Sequence, residues 1–136
     1  MTAPPLNRVS YIEDDEDIQR IVRLSLERIG KMSIDIVSDP EEAIDRMIAF
    51  KPDLVVLDWM LPGIDGPTLF RRMQARAETC HLPVVFITAK ASARELEELR
   101  ALGAAGTISK PFSPNDLPAQ LRAIWDALPA HARGQP

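Results

Sequence analysis

The sequence predicts a doubly wound α/β domain, in which one parallel β-sheet carries helices on both faces. Three observations support this. Five short apolar runs, over residues 8–12, 34–37, 54–57, 84–87 and 106–109, alternate with five stretches of helical apolar spacing. The connections are short, which requires parallel strands joined by right-handed crossovers. The run Leu54-Val55-Val56-Leu57 is continuously apolar, as in a strand buried on both faces. Rossmann-like and flavodoxin-like sheets fit equally well at this level. Both place ligands beyond the carboxyl ends of the strands, where strand order reverses.

Residues 1–7 read as a loose lead-in, and the first strand, residues 8–12, runs straight into five acids, Glu13-Asp14-Asp15-Glu16-Asp17. A helix follows with Ile18, Ile21, Val22, Leu26 and Ile29 at helical spacing and Gly30 as its stop. The second strand covers 34–37. Asp39-Pro40-Glu41-Glu42 then supplies an N-cap, a proline in the first turn and a capping-box glutamate, and Ile44, Met47 and Ile48 form the apolar stripe behind them. The central strand ends at Asp58, where Pro62-Gly63 and Asp65-Gly66 force a loop before a helix over about 67–76. The fourth strand, 84–87, ends at Thr88. Ser92-Ala93-Arg94-Glu95 is a second capping box, opening a helix that stops at Gly103. The fifth strand, 106–109, is closed by Lys110-Pro111-Phe112. The last helix is expected to start at Ser113-Pro114, with Leu117, Leu121, Ile124 and Leu128 on one face. Pro118 removes a donor in what would be its second turn, so a short 3₁₀ or kinked entry is expected. Residues 129–136 read as a flexible tail.

Composition narrows the function. A chain of 136 residues with 46% hydrophobic content is one globular domain with a real core, and its net charge of −4 lacks the basic footprint of nucleic-acid binding. No apolar run approaches the ~20 residues that span a bilayer, and the N-terminus shows no secretory signal. The single cysteine, Cys80, excludes an internal disulfide, and Cys80-His81 has no second cysteine or nearby acid to make a metal site. The cytoplasm is the expected compartment.

The polar residues at the strand ends form a set. Glu13 and Asp14 end the first strand, Asp58 the third, Thr88 the fourth and Lys110 the fifth, and the topology collects all of them at one edge. Carboxylates that close repel one another unless a cation or a proton intervenes. Hard oxygen donors without histidine or cysteine suit Mg²⁺ rather than zinc. With such an ion beside Asp58, the carboxylate can attack a phosphoryl group whose oxygens the metal, Thr88 and Lys110 neutralise.

The segments Glu13-Asp14-Asp15, Val55-Val56-Leu57-Asp58, Leu61-Pro62-Gly63-Ile64-Asp65-Gly66, Thr88-Ala89-Lys90 and Lys110-Pro111-Phe112 resemble the receiver domain of two-component response regulators, in order and spacing, over about residues 8–128. The resemblance implies a flavodoxin-like (βα)5 fold with strand order 2-1-3-4-5. It also implies Asp58 as phosphoacceptor, and Mg²⁺ held by Asp14, Asp58 and the Met60 carbonyl, with Glu13 helping through water. Thr88 and Lys110 would bind phosphoryl oxygens, Ala89 would keep the site open, and the Lys110-Pro111 bond would be cis. The implied partners are a sensor histidine kinase or a histidine phosphotransfer protein and a downstream protein target, with no nucleic acid and no membrane.

The chain departs from the family in three places. Thr107 stands where the family usually has an aromatic, and Ala105 and Gly106 stand where one dimerising subfamily has acids. No output domain follows Leu128 in the sequence. The expectation is therefore a stand-alone regulator, a phosphoacceptor rather than an enzyme, monomeric or weakly dimeric. Its partner surface is expected around Ile18, Gln19, Val22 and the 110–113 loop. The alternative is a degenerate receiver that binds protein without phosphorylation. A flavin carrier of the same topology is disfavoured because the acids at 13–17 would repel a phosphate. A haloacid-dehalogenase-like phosphatase is disfavoured because Met60 stands where its second acid belongs.

Overall fold

The structure is a computed structural model that describes residues 5–89 and 92–129. Five parallel strands, β1 (Arg8–Ile12), β2 (Ser33–Val37), β3 (Leu54–Asp58), β4 (Val84–Thr88) and β5 (Gly106–Ser109), form one sheet of order β2-β1-β3-β4-β5. This is the flavodoxin-like order. The register Ile12↔Leu57, Asp58↔Ile87 and Thr88↔Ser109 brings the carboxyl ends of β1, β3, β4 and β5 level with one another.

The helices divide between the two faces, and so does the core. On one face, α1 (Glu16–Arg23), the segment Leu24–Ile29 and α5 (Leu117–Ala127) pack through Val22, Leu26, Leu121 and Trp125 onto Val9, Tyr11, Leu54 and Val56. On the other, α2 (Pro40–Phe50), α3 (Gly66–Gln74) and α4 (Ala93–Leu102) pack through Met47, Leu69, Met73 and Leu99 onto Ile12, Val55, Leu57 and Phe86. Residues 54–57 alternate between the two clusters and are fully buried, as their unbroken apolar run predicts. Each such Val or Leu contributes about 1.5–3 kcal/mol.

Two N-caps fall where the sequence puts them: Asp39 caps α2 with Pro40 in the first turn, and Ser92 caps α4. Asp15 and Asp65 also cap α1 and α3. Three local expectations are corrected. First, the apolar stripe of the first helix is not regular. Leu24–Ile29 is a π-helix whose last wide turn is closed by the bond from Gly30 N to Ser25 O (2.9 Å), and Met32 N bonds back to Leu26 O (2.9 Å) beyond its end. The wider turn rotates the face, so Ile29 is 45% exposed instead of joining the core. Second, the last helix begins at Leu117, after a turn in which Ser113 O accepts from Asp116 N and Leu117 N. The bond from Asp116 N to Ser113 O is the short 3₁₀ entry expected there; Pro118 lies in the first turn of the helix proper, where a missing N–H is harmless. Third, the lead-in is held at its inner end: Leu6 is buried in the core, and Asn7 N donates to Asp53 Oδ2 at 3.0 Å. Residues 1–4 and 130–136 lie outside the described residues.

Candidate functional site

The site begins where β3 stops. Asp58 is its last residue and is only 6% exposed. The loop behind it folds back tightly, with Gly66 N donating to Trp59 O at 2.7 Å. A Cβ at Gly66 would stand 2.5 Å from the Asp58 carbonyl oxygen, so only glycine allows this approach. Gly63, at φ +83°, takes the left-handed turn. Asp65 caps α3 by accepting from Thr68 N at 2.7 Å, and these bonds from Thr68 hold its carboxyl below the usual range.

Around Asp58 the strand ends converge as the topology requires. Lys110 Nζ donates to Asp58 Oδ2 at 2.8 Å and stands 3.8 Å from Glu13 Oε1. The Lys110–Pro111 peptide bond is cis. Asp58 Oδ1 accepts only a long 3.3 Å bond from Met60 N. Glu13 is buried; its Oε2 accepts from Asp15 N at 3.2 Å, while its Oε1 has no hydrogen-bond partner. Burial, and then the Asp58 charge, push the Glu13 carboxyl up to about 7, against the opposing pull of the Asp15 N–H and of Lys110. Thr88 is buried at the end of β4. Asp58, Met60, Thr88, Ala89 and Lys110 line a common cleft of about 320 Å³.

Not every expected residue joins this contact. Asp14 is exposed beside the cluster, and Met60 is 72% exposed. Among the described residues, no three His, Cys, Asp or Glu side chains are already spaced to hold a metal ion, since the Lys110 ammonium lies between Asp58 and Glu13. The donor chemistry nonetheless fits Mg²⁺. The orphaned Glu13 Oε1 and the weakly held Asp58 Oδ1 are hard oxygens with unused lone pairs. Lys90 lies outside the described residues.

A second feature adjoins the cleft. An apolar groove of about 400 Å³, walled by Ile18, Ile21, Pro111, Phe112 and Pro114, meets the cleft at Ala89 and Lys110. The expected partner surface is corrected at one position: Val22 is fully buried. Gln19 is half-buried and engaged with Glu13 O and Ser38 Oγ, and Ile21, 41% exposed, stands at the groove. Sequence reasoning missed two polar residues here. Glu95 lines the cleft, although the capping box appeared to account for it. Tyr11 is buried with an unpartnered hydroxyl, within reach of the charges of Glu13 and Asp58; burial first and then those charges raise its pKa well above the usual phenol. An apolar strand position that carries a hydroxyl was the signal for Tyr11.

At the departures from the family, Thr107 is exposed on β5, and a Cβ at Gly106 would stand 2.9 Å from Ile124 Cδ1. A side chain at 106 would have to push the Ile124 side chain aside.

The response regulator receiver domain family model matches residues 9–122. Among curated relatives, the phosphate regulon transcriptional regulatory protein PhoB of Rhizobium meliloti is 37% identical over 119 residues, covering 88% of this chain and 52% of that protein. The alkaline phosphatase synthesis transcriptional regulatory protein PhoP of Bacillus subtilis is 35% identical over 117 residues, covering 86% and 48%. The chain spans about half the length of the curated relatives it matches, and they lend no support to a stand-alone regulator. Among solved structures, the BeF3-activated N-terminal receiver domain of Klebsiella pneumoniae RstA superposes with a TM-score of 0.75 at 31% identity, covering 86% of this chain and 97% of that one. The chemotaxis response regulator CheY4 of Vibrio cholerae superposes with a TM-score of 0.79 at 22% identity, covering 88% and 98%, a likeness of fold. No helix among the described residues is long and apolar enough to cross a membrane. The chain belongs to the response regulator receiver domain family.

Proposed function

We propose that this receiver accepts a phosphoryl group on Asp58 from a histidine kinase or histidine phosphotransfer protein in the cytoplasm and signals to a protein partner. One observation carries the reading: Asp58 is a buried carboxylate at a strand end, with one oxygen held by Lys110 at 2.8 Å in a cleft that Thr88 also lines. In the transfer, an Asp58 carboxylate oxygen attacks phosphorus, the P–N bond to the donor imidazole breaks, and the imidazole leaves with that electron pair. Lys110 and Thr88 accompany the phosphoryl oxygens as charge builds on them. Glu13, Asp14, Asp58 and the Met60 carbonyl would hold Mg²⁺, which supplies the charge neutralisation that carboxylates alone cannot. The chain is therefore a phosphoacceptor and not a turnover enzyme.

The apolar groove supports the partner class. A helix that seats its apolar side chains against Ile18, Ile21 and Phe112 would bring a histidine next to the cleft at Ala89 and Lys110. The test is intact-mass analysis after incubation with Mg²⁺ and phosphoramidate. Wild type should gain one phosphoryl group, and Asp58→Asn should gain none, a complete loss. Equal labelling of the two would overturn the proposal.

A further inference from the structure

Glu95 has no role in the chemistry above, yet it is placed inside it. Ser92 Oγ accepts from Glu95 N at 3.1 Å and fixes the first turn of α4. The Glu95 carboxylate does not complete the reciprocal half of that cap and has no hydrogen-bond or ionic partner among the described residues. The residue is half-buried, and its side chain lines the same cleft as Asp58, Thr88 and Lys110.

Elimination gives it a task. Once Asp58 is phosphorylated its carboxylate is spent as a base, and Lys110 is a cation. The Thr88 hydroxyl is a weak base, while Trp59, Met60 and Ala89 offer none. Glu13 and Asp14, behind Lys110 and beside the cluster, are the acids that would hold Mg²⁺, which leaves Glu95 as the carboxylate lining the cleft with no other task. We propose that Glu95 orients and deprotonates the water that hydrolyses the aspartyl phosphate, and so sets the lifetime of the phosphorylated state. This rests on Asp58 as the acceptor. The water oxygen attacks phosphorus on the side away from Asp58, and the P–O bond to Asp58 breaks. Asp58 leaves as a carboxylate, the water proton passes to Glu95 and on to solvent, and inorganic phosphate departs.

The experiment uses the full chain, phosphorylated with phosphoramidate and Mg²⁺ and then freed of donor, with decay followed by intact mass. Glu95→Ala should lengthen the half-life on the order of a hundred-fold, the low end for a positioned base. Glu95→Gln, which can still orient water but not take its proton, should fall between wild type and Glu95→Ala. The ratio of hydrolysis to uptake should drop in both, and Glu95→Asp should recover part of it. A merely structural acid at a helix start would change the melting point and leave that ratio alone. Equal half-lives for wild type, Glu95→Ala and Glu95→Gln overturn the role of Glu95 alone. A wild-type chain that takes up no phosphoryl group overturns the acceptor reading, and this inference with it.

Discussion

The two ends of the sheet are built from the same kinds of residue and used in opposite ways. At the amino edge Asp53, Arg8 and Arg122 all have partners. Asp53 Oδ2 accepts from Asn7 N and Arg8 N at 3.0 and 2.8 Å; the Arg8 guanidinium donates to Phe50 O at 2.5 Å and stands 4.1 Å over the Phe50 ring; and Arg122 donates to Gly30 O. At the carboxyl edge Glu13 Oε1 and Tyr11 Oη have no hydrogen-bond partner, and Lys110 is shared between two carboxylates. A saturated polar cluster stabilises a fold, whereas an unsaturated one holds open positions for a ligand at a cost in stability. Charge content alone does not distinguish the two edges; the number of unmet hydrogen bonds does.

That contrast can be broken most directly at Asp53. Asp53→Ala strips the partner from two backbone N–H groups and should destabilise the protein by about 3 kcal/mol, read by urea denaturation. A loss under about 0.5 kcal/mol, the scale of an ordinary surface change, would show the amino edge to be no better satisfied than the other.

The next effect is ligand-linked. Mg²⁺ at a hundred times its dissociation constant should stabilise wild type by about 2.7 kcal/mol, and Asp58→Asn or Asp14→Ala should lose most of that increment. An increment that survives both variants would place the ion elsewhere.

A smaller effect of opposite sign is expected at Glu13. Its carboxyl is raised to about 7 in the folded state from an ordinary value of 4.5. Between those values the folded state binds the proton that the unfolded state has released, so metal-free stability should fall as pH rises through that window. Below it both states are protonated and the penalty is absent. Glu13→Gln should flatten this slope and raise the metal-free melting point near pH 7.5, the reverse of Asp53→Ala. A slope unchanged in Glu13→Gln would assign the pH dependence to other groups.

The smallest effect is spectroscopic. Trp59 follows Asp58 and meets the Phe86 ring edge-on at 6.2 Å, whereas Trp125 is buried in α5. The emission change on adding Mg²⁺ or phosphodonor should disappear in Trp59→Phe. A signal that persists there would come from Trp125 and point to motion of the whole α5 face.

The carboxyl edge was legible in the sequence, for a physical reason. An apolar run that stops at a polar residue fixes both a strand and the direction in which its end projects, so Asp58, Thr88 and Lys110 could be placed together without coordinates. The amino edge was not legible, because Asp53 and Arg8 satisfy backbone groups distant in sequence and carry no local pattern. Glu95 was misread because the capping box gave its carboxylate a sufficient local task that the fold does not use. Ile29 was placed on the apolar stripe because helical spacing assumes a constant turn, which the π segment Leu24–Ile29 does not keep. Pro118 was read correctly as a residue that demands an explanation, but the helix start was placed four residues too early.

The π segment has a mechanical consequence. Its widened turn presents the Ser25 hydroxyl to Pro114 O at 2.5 Å, and the adjoining Gly30 is packed so closely on Pro118 that a Cβ there would stand 2.9 Å away. The stretch from Lys110 to Pro114 is thus clamped at its far end by a helix and held at its near end by an ammonium that follows whatever charge occupies the cleft. A strap fixed at one end and pulled at the other cannot absorb displacement by sliding; it must bow in the middle. The middle is Phe112, a wall of the apolar groove, so a displacement of Lys110 toward charge in the cleft would be felt first in the shape of that groove.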